Sequence, residues 1–164
     1  MYELFQCILT QRFQQAITIF ATVRLDVREN SQRIHAALAE LWQQARPGHE
    51  PPAPDTPAWK DWLLTELAVP RATTGGVEVP EGLSPQAQET FATFRSVAEM
   101  RRLGDREAVG ALILSMTHQA ADVLGVYLMA KHAGLFHDAA GTERCTLPVV
   151  PLLETIPDLR RAGA

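Results

Sequence analysis

Ala111-Leu112-Ile113-Leu114-Ser115-Met116-Thr117 is a short apolar run that breaks off in hydroxyl-bearing residues, and the segments on its C-terminal side decide the fold. Residues Gln119 to His132 are apolar around most of a helical circumference, through Ala120, Val123, Leu124, Val126, Tyr127, Leu128 and Ala130. Gly134 stands just beyond, where a left-handed residue would close that helix. A second apolar run, Leu147 to Leu153, comes next, and Thr155 with Pro157 and Asp158 opens one more helix. Strand, helix, strand, helix is the pattern of a parallel sheet with helices packed on it. Proline cannot donate into a ladder, so Pro148 and Pro151 fit only a short strand that Pro148 begins and Pro151 nearly ends.

Towards the N-terminus, Ser84-Pro85 starts a helix whose core side is Phe91, Phe94, Val97 and Ala98, up to about Leu103. The stretch 71–83, with Gly75-Gly76 and Pro80, reads as a loop. So does 47–57, which holds five of the eleven prolines. Between them Trp59, Trp62, Leu63 and Leu67 make a short helix that Pro70 closes. Asn30-Ser31 caps a further helix carrying Ile34, Ala37, Leu38, Leu41, Trp42 and Ala45 at helical spacing. The β-branched segment ahead of it, Ile19 to Val27, reads as a strand in its second half. Phe5, Leu9, Phe13 and Ile17 form the stripe of an N-terminal amphipathic helix.

A chain of 164 residues is one domain of ordinary size. Hydrophobic content of 46% and a mean hydropathy of −0.06 are those of a soluble globular chain. Fifteen Lys and Arg against nineteen Asp and Glu leave a net charge of −4, which argues against a nucleic-acid or anionic-membrane partner. No apolar run reaches the ~18 residues that a membrane span needs. Glu3 and the polar Gln6, Thr10, Gln11 and Arg12 are unlike a signal peptide. Cys7 and Cys145 lie far apart with no CxxC, and two reduced, buried thiols of a cytoplasmic protein are expected. The histidines His35, His49, His118, His132 and His137 show no ligand spacing and are expected at the surface or at helix ends. Trp42, Trp59 and Trp62 read as core anchors of the helical layer.

In parallel α/β sheets, reactive groups gather at the carboxyl ends of strands. Three such ends are legible: Asp26-Val27-Arg28, Ser115-Met116-Thr117 and Leu153-Glu154-Thr155. They supply an arginine suited to phosphate or carboxylate, two hydroxyls, and a carboxylate suited to a hard cation. The plain alternatives are a surface pairing of Arg28 with Asp26 or Glu29, and Glu154 as a solvated strand end with Thr155 as a helix cap. Ser115 lies in no Gly-x-Ser-x-Gly elbow, which argues against a hydrolase nucleophile. Asp122 suits either orientation of the Thr117 loop or core and cap duty.

Taken together and in this order, three segments resemble phosphoenolpyruvate carboxylase. Leu25-Asp26-Val27-Arg28-Glu29-Asn30-Ser31 is similar to the family's Leu-Asp-hydrophobic-Arg-Gln/Glu-x-Ser. Ile113-Leu114-Ser115-Met116-Thr117, with Ala121-Asp122-Val123-Leu124 and Lys131-His132-Ala133-Gly134, is similar to a strand and helix of the family. Val149-Val150-Pro151-Leu152-Leu153-Glu154-Thr155-Ile156 is close to its Val-Val-Pro-Leu-Phe-Glu-Thr-Ile/Leu, with Leu153 where phenylalanine is usual. Gln119 and Ala121 also depart, standing where serines are frequent, as does Ile19, where the family usually has glycine. The resemblance divides the chain into 1–24, an N-terminal helix and strand start that match poorly, and 25–164, a partial carboxylase barrel segment.

The resemblance implies a helix-rich α/β fold: an incomplete, TIM-like (β/α) barrel portion with three parallel strands and flanking helices. It implies carboxylation of phosphoenolpyruvate with bicarbonate to oxaloacetate and phosphate, a carbon-carbon lyase reaction that feeds the tricarboxylic acid cycle. Bicarbonate attacks the phosphate to give carboxyphosphate and the enolate of pyruvate, and the enolate captures carbon dioxide. Glu154 looks like one of two carboxylates holding Mg²⁺ or Mn²⁺, and Arg28 like one of several arginines gripping the phosphate. The intact family enzyme is expected to be a cytoplasmic homotetramer. Three family motifs do not occur in this sequence: Thr-Ala-His/Arg-Pro-Thr-Glu with its catalytic histidine, the Tyr-Ser-Asp segment with the second metal carboxylate, and the Gly-Arg-Gly-Gly loop. The chain therefore reads as a central fragment that carries part of an active site, inactive and marginally stable alone. A non-catalytic α/β interaction or structural module derived from that enzyme is the alternative.

Overall fold

The computed structural model describes residues 25–70, 81–103, 109–139 and 142–161. In chain order the elements are β1 (Leu25–Asn30), α1 (Ser31–Ala45), α2 (Pro57–Ala68), α3 (Pro85–Leu103) and β2 (Val109–Ser115). Beyond them come α4 (Ala120–His132), β3 (Phe136–Ala139), β4 (Thr142–Cys145), β5 (Val149–Pro151) and α5 (Ile156–Arg161). The stripe expected over residues 4–17, the strand start before residue 25 and most of the 71–83 loop lie outside the described residues.

β1, β2 and β5 form a parallel sheet in the order β1-β2-β5, so the most apolar strand takes the centre. The register aligns Val27, Leu112 and Val149 across it, then Arg28, Ile113 and Val150. Side chains alternate between the two faces of a sheet. Leu112 and Leu114 are fully buried in the hydrophobic core, whereas Ile113 is half-buried and Val150 and Arg28 are exposed on the opposite face. The sheet thus has one dry face and one open one. The expected three strands are present, and β5 is as short as its prolines demand. Leu112 N–H donates to the Pro148 carbonyl and Leu152 N–H to that of Leu114, both at 2.8 Å, so neither proline is asked for a proton.

Helix starts agree closely with the sequence. The Asn30 side chain accepts from the Gln32 N–H at 2.8 Å and caps α1. Thr56 caps α2, whose first residue is Pro57, so the proline-rich loop ends one residue before that proline. Gly134, at φ +73°, lies just past the end of α4. α4 is apolar all round because it packs against both α1 and α2. Gly125 permits the close approach: a Cβ there would stand 3.1 Å from Ile34 Cγ2 and 3.4 Å from Leu38 Cδ1.

One element has no counterpart in the sequence pattern, the antiparallel hairpin of β3 and β4. Its four-residue strands, Phe136-His137-Asp138-Ala139 and Thr142-Glu143-Arg144-Cys145, are too polar and too short to declare themselves. Lys131 on α4 fastens it. Its buried ammonium donates to Glu143 Oε2 at 2.6 Å and to the Leu67 carbonyl at 2.7 Å.

Candidate functional site

Three βα junctions meet at the carboxyl end of the sheet, and each is held by its own hydrogen bonds. The first strand runs on to Asn30, past the Arg28 at which the sequence reading places its end. Asp26 lies near its start, where Oδ1 accepts from the Ala111 N–H at 2.9 Å beside an irregularity in the β1–β2 register between Leu25 and Val27. Glu29 is buried, accepts from the Asn30 N–H at 2.9 Å, and lies 3.8 Å from Arg33 Nε. Arg28 sits on the opposite face from Glu29. Its guanidinium reaches across the mouth of the sheet, and Nη2 comes within 3.4 Å of Glu154 Oε1. The two residues singled out at separate strand ends, 126 positions apart, are therefore neighbours. The carboxylates considered as plain surface partners for Arg28 are engaged elsewhere, Asp26 with the Ala111 N–H and Glu29 beside Arg33.

At the second junction the hydroxyls are committed to the backbone. Ser115 Oγ donates to the Glu29 carbonyl at 3.0 Å, and Thr117 Oγ1 to the Leu114 carbonyl at 2.9 Å. Met116 between them is left-handed, φ +56°, a costly conformation for a side chain with a Cβ. Its carbonyl accepts from Ser31 Oγ at 2.6 Å, which ties the turn to the start of α1.

Asp122, buried on α4, fixes the rest of this loop. Its Oδ2 accepts from the backbone N–H groups of His118 at 2.6 Å and Gln119 at 2.9 Å. Its Oδ1 meets His35 Nε2 at 2.8 Å, and Trp59 Nε1–H donates to His35 Nδ1 at 3.0 Å. An indole can only donate, so the His35 proton sits on Nε2 and is given to Asp122. Burial pushes the Asp122 carboxyl upward, but the His35 hydrogen bond and the two backbone N–H groups outweigh it and hold the carboxyl below the usual range. Both duties considered for Asp122 are thus combined in one side chain. His35 corrects the sequence reading: it is 6% exposed, packed edge-on to Trp59, a core histidine rather than a surface one. Its position among the apolar residues of α1, between Ile34 and Leu38, is the signal that the sequence offers for this.

At the third junction Thr155 caps α5. Its hydroxyl accepts from the Asp158 N–H at 3.2 Å and donates to Asp158 Oδ2. Asp158 is buried, and its Oδ1 lies 3.1 Å from Nδ1 of His118, a half-exposed side chain from the second junction. Sequence reasoning misses this cross-link, although Thr155 and Asp158 at i, i+3 carry the spacing of a capping motif.

The donor chemistry at the mouth fits a divalent cation in part. Glu154 offers hard carboxylate oxygens and is about one-third exposed, but no group of three metal-ligating side chains exists among the described residues. Mg²⁺ completes such a sphere with water and substrate oxygens.

A model of the phosphoenolpyruvate carboxylase family matches residues 4–164. A phosphoenolpyruvate carboxylase of Methylorubrum extorquens is 58% identical over 146 residues, covering 88% of this chain and 16% of its own. One from Gloeobacter violaceus is 40% identical over 144 residues, 87% of this chain and 15% of its own. One from Rhodothermus marinus is 37% identical over 153 residues, 88% of this chain and 16% of its own. The chain spans about one-sixth of the length of these relatives. With its matching segment running almost end to end, the chain belongs to the phosphoenolpyruvate carboxylase family.

Proposed function

We propose that this chain is the part of a phosphoenolpyruvate carboxylase that brings one phosphate-gripping arginine and one metal-binding carboxylate to a shared pocket. The reaction is carboxylation of phosphoenolpyruvate by bicarbonate to oxaloacetate and phosphate, and its product supplies the tricarboxylic acid cycle. The whole enzyme is a cytoplasmic homotetramer whose catalytic fold is a (β/α) barrel, to which β1, β2 and β5 contribute parallel strands. The observation that carries this reading is the approach of Arg28 to Glu154 at 3.4 Å, at the end of the sheet where such folds place their chemistry.

Arg28 has a planar fork of donors and is two-thirds exposed, so most of its N–H groups remain available to a phosphate. Its single long contact with Glu154 holds the fork over the mouth without occupying it. An exposed pair of this kind is worth ~0–1 kcal/mol, so phosphate and cation can take over the two partners at little cost. Glu154 would hold Mg²⁺ or Mn²⁺ as one carboxylate among several ligands. The ion, when bound, supplies Lewis-acid stabilisation of negative charge developing on the substrate oxygen. Ser115, Thr117 and Asp122 orient the loop between the two groups and touch no substrate.

The test is a chimera of the 58%-identical relative in which this chain replaces the matching segment. Coupled to malate dehydrogenase, the chimera is expected to form oxaloacetate, whereas the 164-residue chain alone shows no turnover. Arg28→Gln should cost roughly tenfold to a hundredfold in kcat/KM for phosphoenolpyruvate, the loss of a charge-assisted contact of about 1.5–3 kcal/mol. Glu154→Gln should abolish Mn²⁺-dependent turnover. Full activity in both variants would overturn the assignment.

A further inference from the structure

A continuous set of hydrogen bonds runs from the helical layer to the residue beside Glu154. Trp59 donates to His35, and His35 donates to Asp122. Asp122 holds the backbone N–H of His118, whose ring meets Asp158, and Asp158 holds the hydroxyl of Thr155. Two histidine–carboxylate pairs therefore stand in series, joined through one peptide N–H. The proton assignments come from the partners. The Asp158 carboxylate can only accept, from the Thr155 hydroxyl on one oxygen and from His118 on the other, so His118 carries its proton on Nδ1. His35 carries its own on Nε2.

The outer pair differs from the inner one in what it fastens. Asp122, His35 and Trp59 join α4 to α1 and α2 inside the core. His118 and Asp158 join the β2–α4 loop to the first turn of α5 at the mouth, and Thr155, which Asp158 holds, is covalently next to Glu154. A side chain's direction is set by its backbone, and the backbone at residue 154 runs directly into this clamp.

We propose that His118 and Asp158 are positioning residues for the Glu154 carboxylate, the His118 Nδ1–H holding Asp158 so that its grip on Thr155 fixes the turn presenting Glu154. This rests on the reading of Glu154 as a metal ligand. Groups that hydrogen-bond a metal ligand directly are worth ~10- to 100-fold in metal affinity, and this clamp, which acts on Glu154 through the backbone of the turn, belongs at the lower end of that range. His118 is 43% exposed at the side chain, so replacing it spares the core.

Mn²⁺ binding to the chimeric enzyme, read from the electron paramagnetic resonance of the free ion without turnover, tests the proposal. His118→Ala and Thr155→Val are expected to weaken Mn²⁺ binding by about tenfold. His118→Asn, which keeps a donor close to the Nδ1 position, and Thr155→Ser, which keeps the hydroxyl, should bind like the unsubstituted protein. Unchanged binding in His118→Ala and Thr155→Val, alongside a loss in Glu154→Gln, would overturn the positioning role and leave the functional reading standing. An equal loss in His118→Ala and His118→Asn would also overturn it, because the donor would then not be the operative group. If Glu154→Gln itself binds Mn²⁺ normally, the functional reading falls, and this inference with it.

Discussion

Residue by residue, the carboxyl end of the sheet is governed by polar groups whose partners are fixed and few. His35 shows the cost of losing one. Trp59→Phe keeps an apolar ring but removes the indole donor to His35 Nδ1, leaving a buried acceptor unpaired, so a loss of about 1–3 kcal/mol is expected. A lowered urea midpoint would register it. Asp122 makes a pH prediction of definite sign. Its carboxyl is held below the usual range in the fold, so it contributes stability that is present above the unfolded value and lost as pH falls through the folded one. Stability should decline below about pH 4, the ordinary aspartate value. Asp122→Asn should flatten that limb in acid titrations of unfolding. Met116 adds the opposite kind of site: Met116→Gly relieves its left-handed backbone, and a gain in melting temperature is expected unless the Ser31 contact is disturbed.

At the scale of elements, the packing of α4 is what makes its sequence apolar on every side. Gly125→Val would drive methyl groups into Ile34 and Leu38 and should cost about 1–3 kcal/mol, visible in thermal unfolding. The strands and helix starts are legible where each is written locally: Asn30-Ser31 opening α1, Ser84-Pro85 opening α3, Pro148 and Pro151 bounding β5. The start of α2 is not legible, since Pro57 reads as the end of the loop and instead opens the helix behind a Thr56 cap. The hairpin of β3 and β4 is not, since four-residue strands carry too little alternation. For the site, Arg28 and Glu154 are legible through the segments around them, and their shared position is a consequence of parallel strand order. The roles of His35 and His118 are not, because they depend on partners 87 and 40 residues away, Asp122 and Asp158, which no local period encodes.

For the molecule as a whole, the sheet divides the chain into a dry side and a wet one. Leu112 and Leu114 are sealed in the core, while Leu25 is 59% exposed, Val150 42%, Ile156 66% and Leu159 61%. β1 and β5 each pair only with β2 among the described residues, so both outer edges keep unpaired backbone groups there. Full burial of each such side chain would add ~1.5–3 kcal/mol, a large share of the ~5–15 kcal/mol that holds a domain together. The isolated 164-residue chain is therefore expected to bind a hydrophobic dye and to associate as concentration rises. A sharp cooperative melt from a monodisperse monomer would contradict this. The bond between Arg28 and Glu154 carries a thermodynamic corollary. An anion that draws the guanidinium away releases the carboxylate for a cation, and a cation that claims the carboxylate releases the guanidinium. Linkage makes that favour mutual, and the share of it that comes from giving up this bond is at most about fivefold in either affinity.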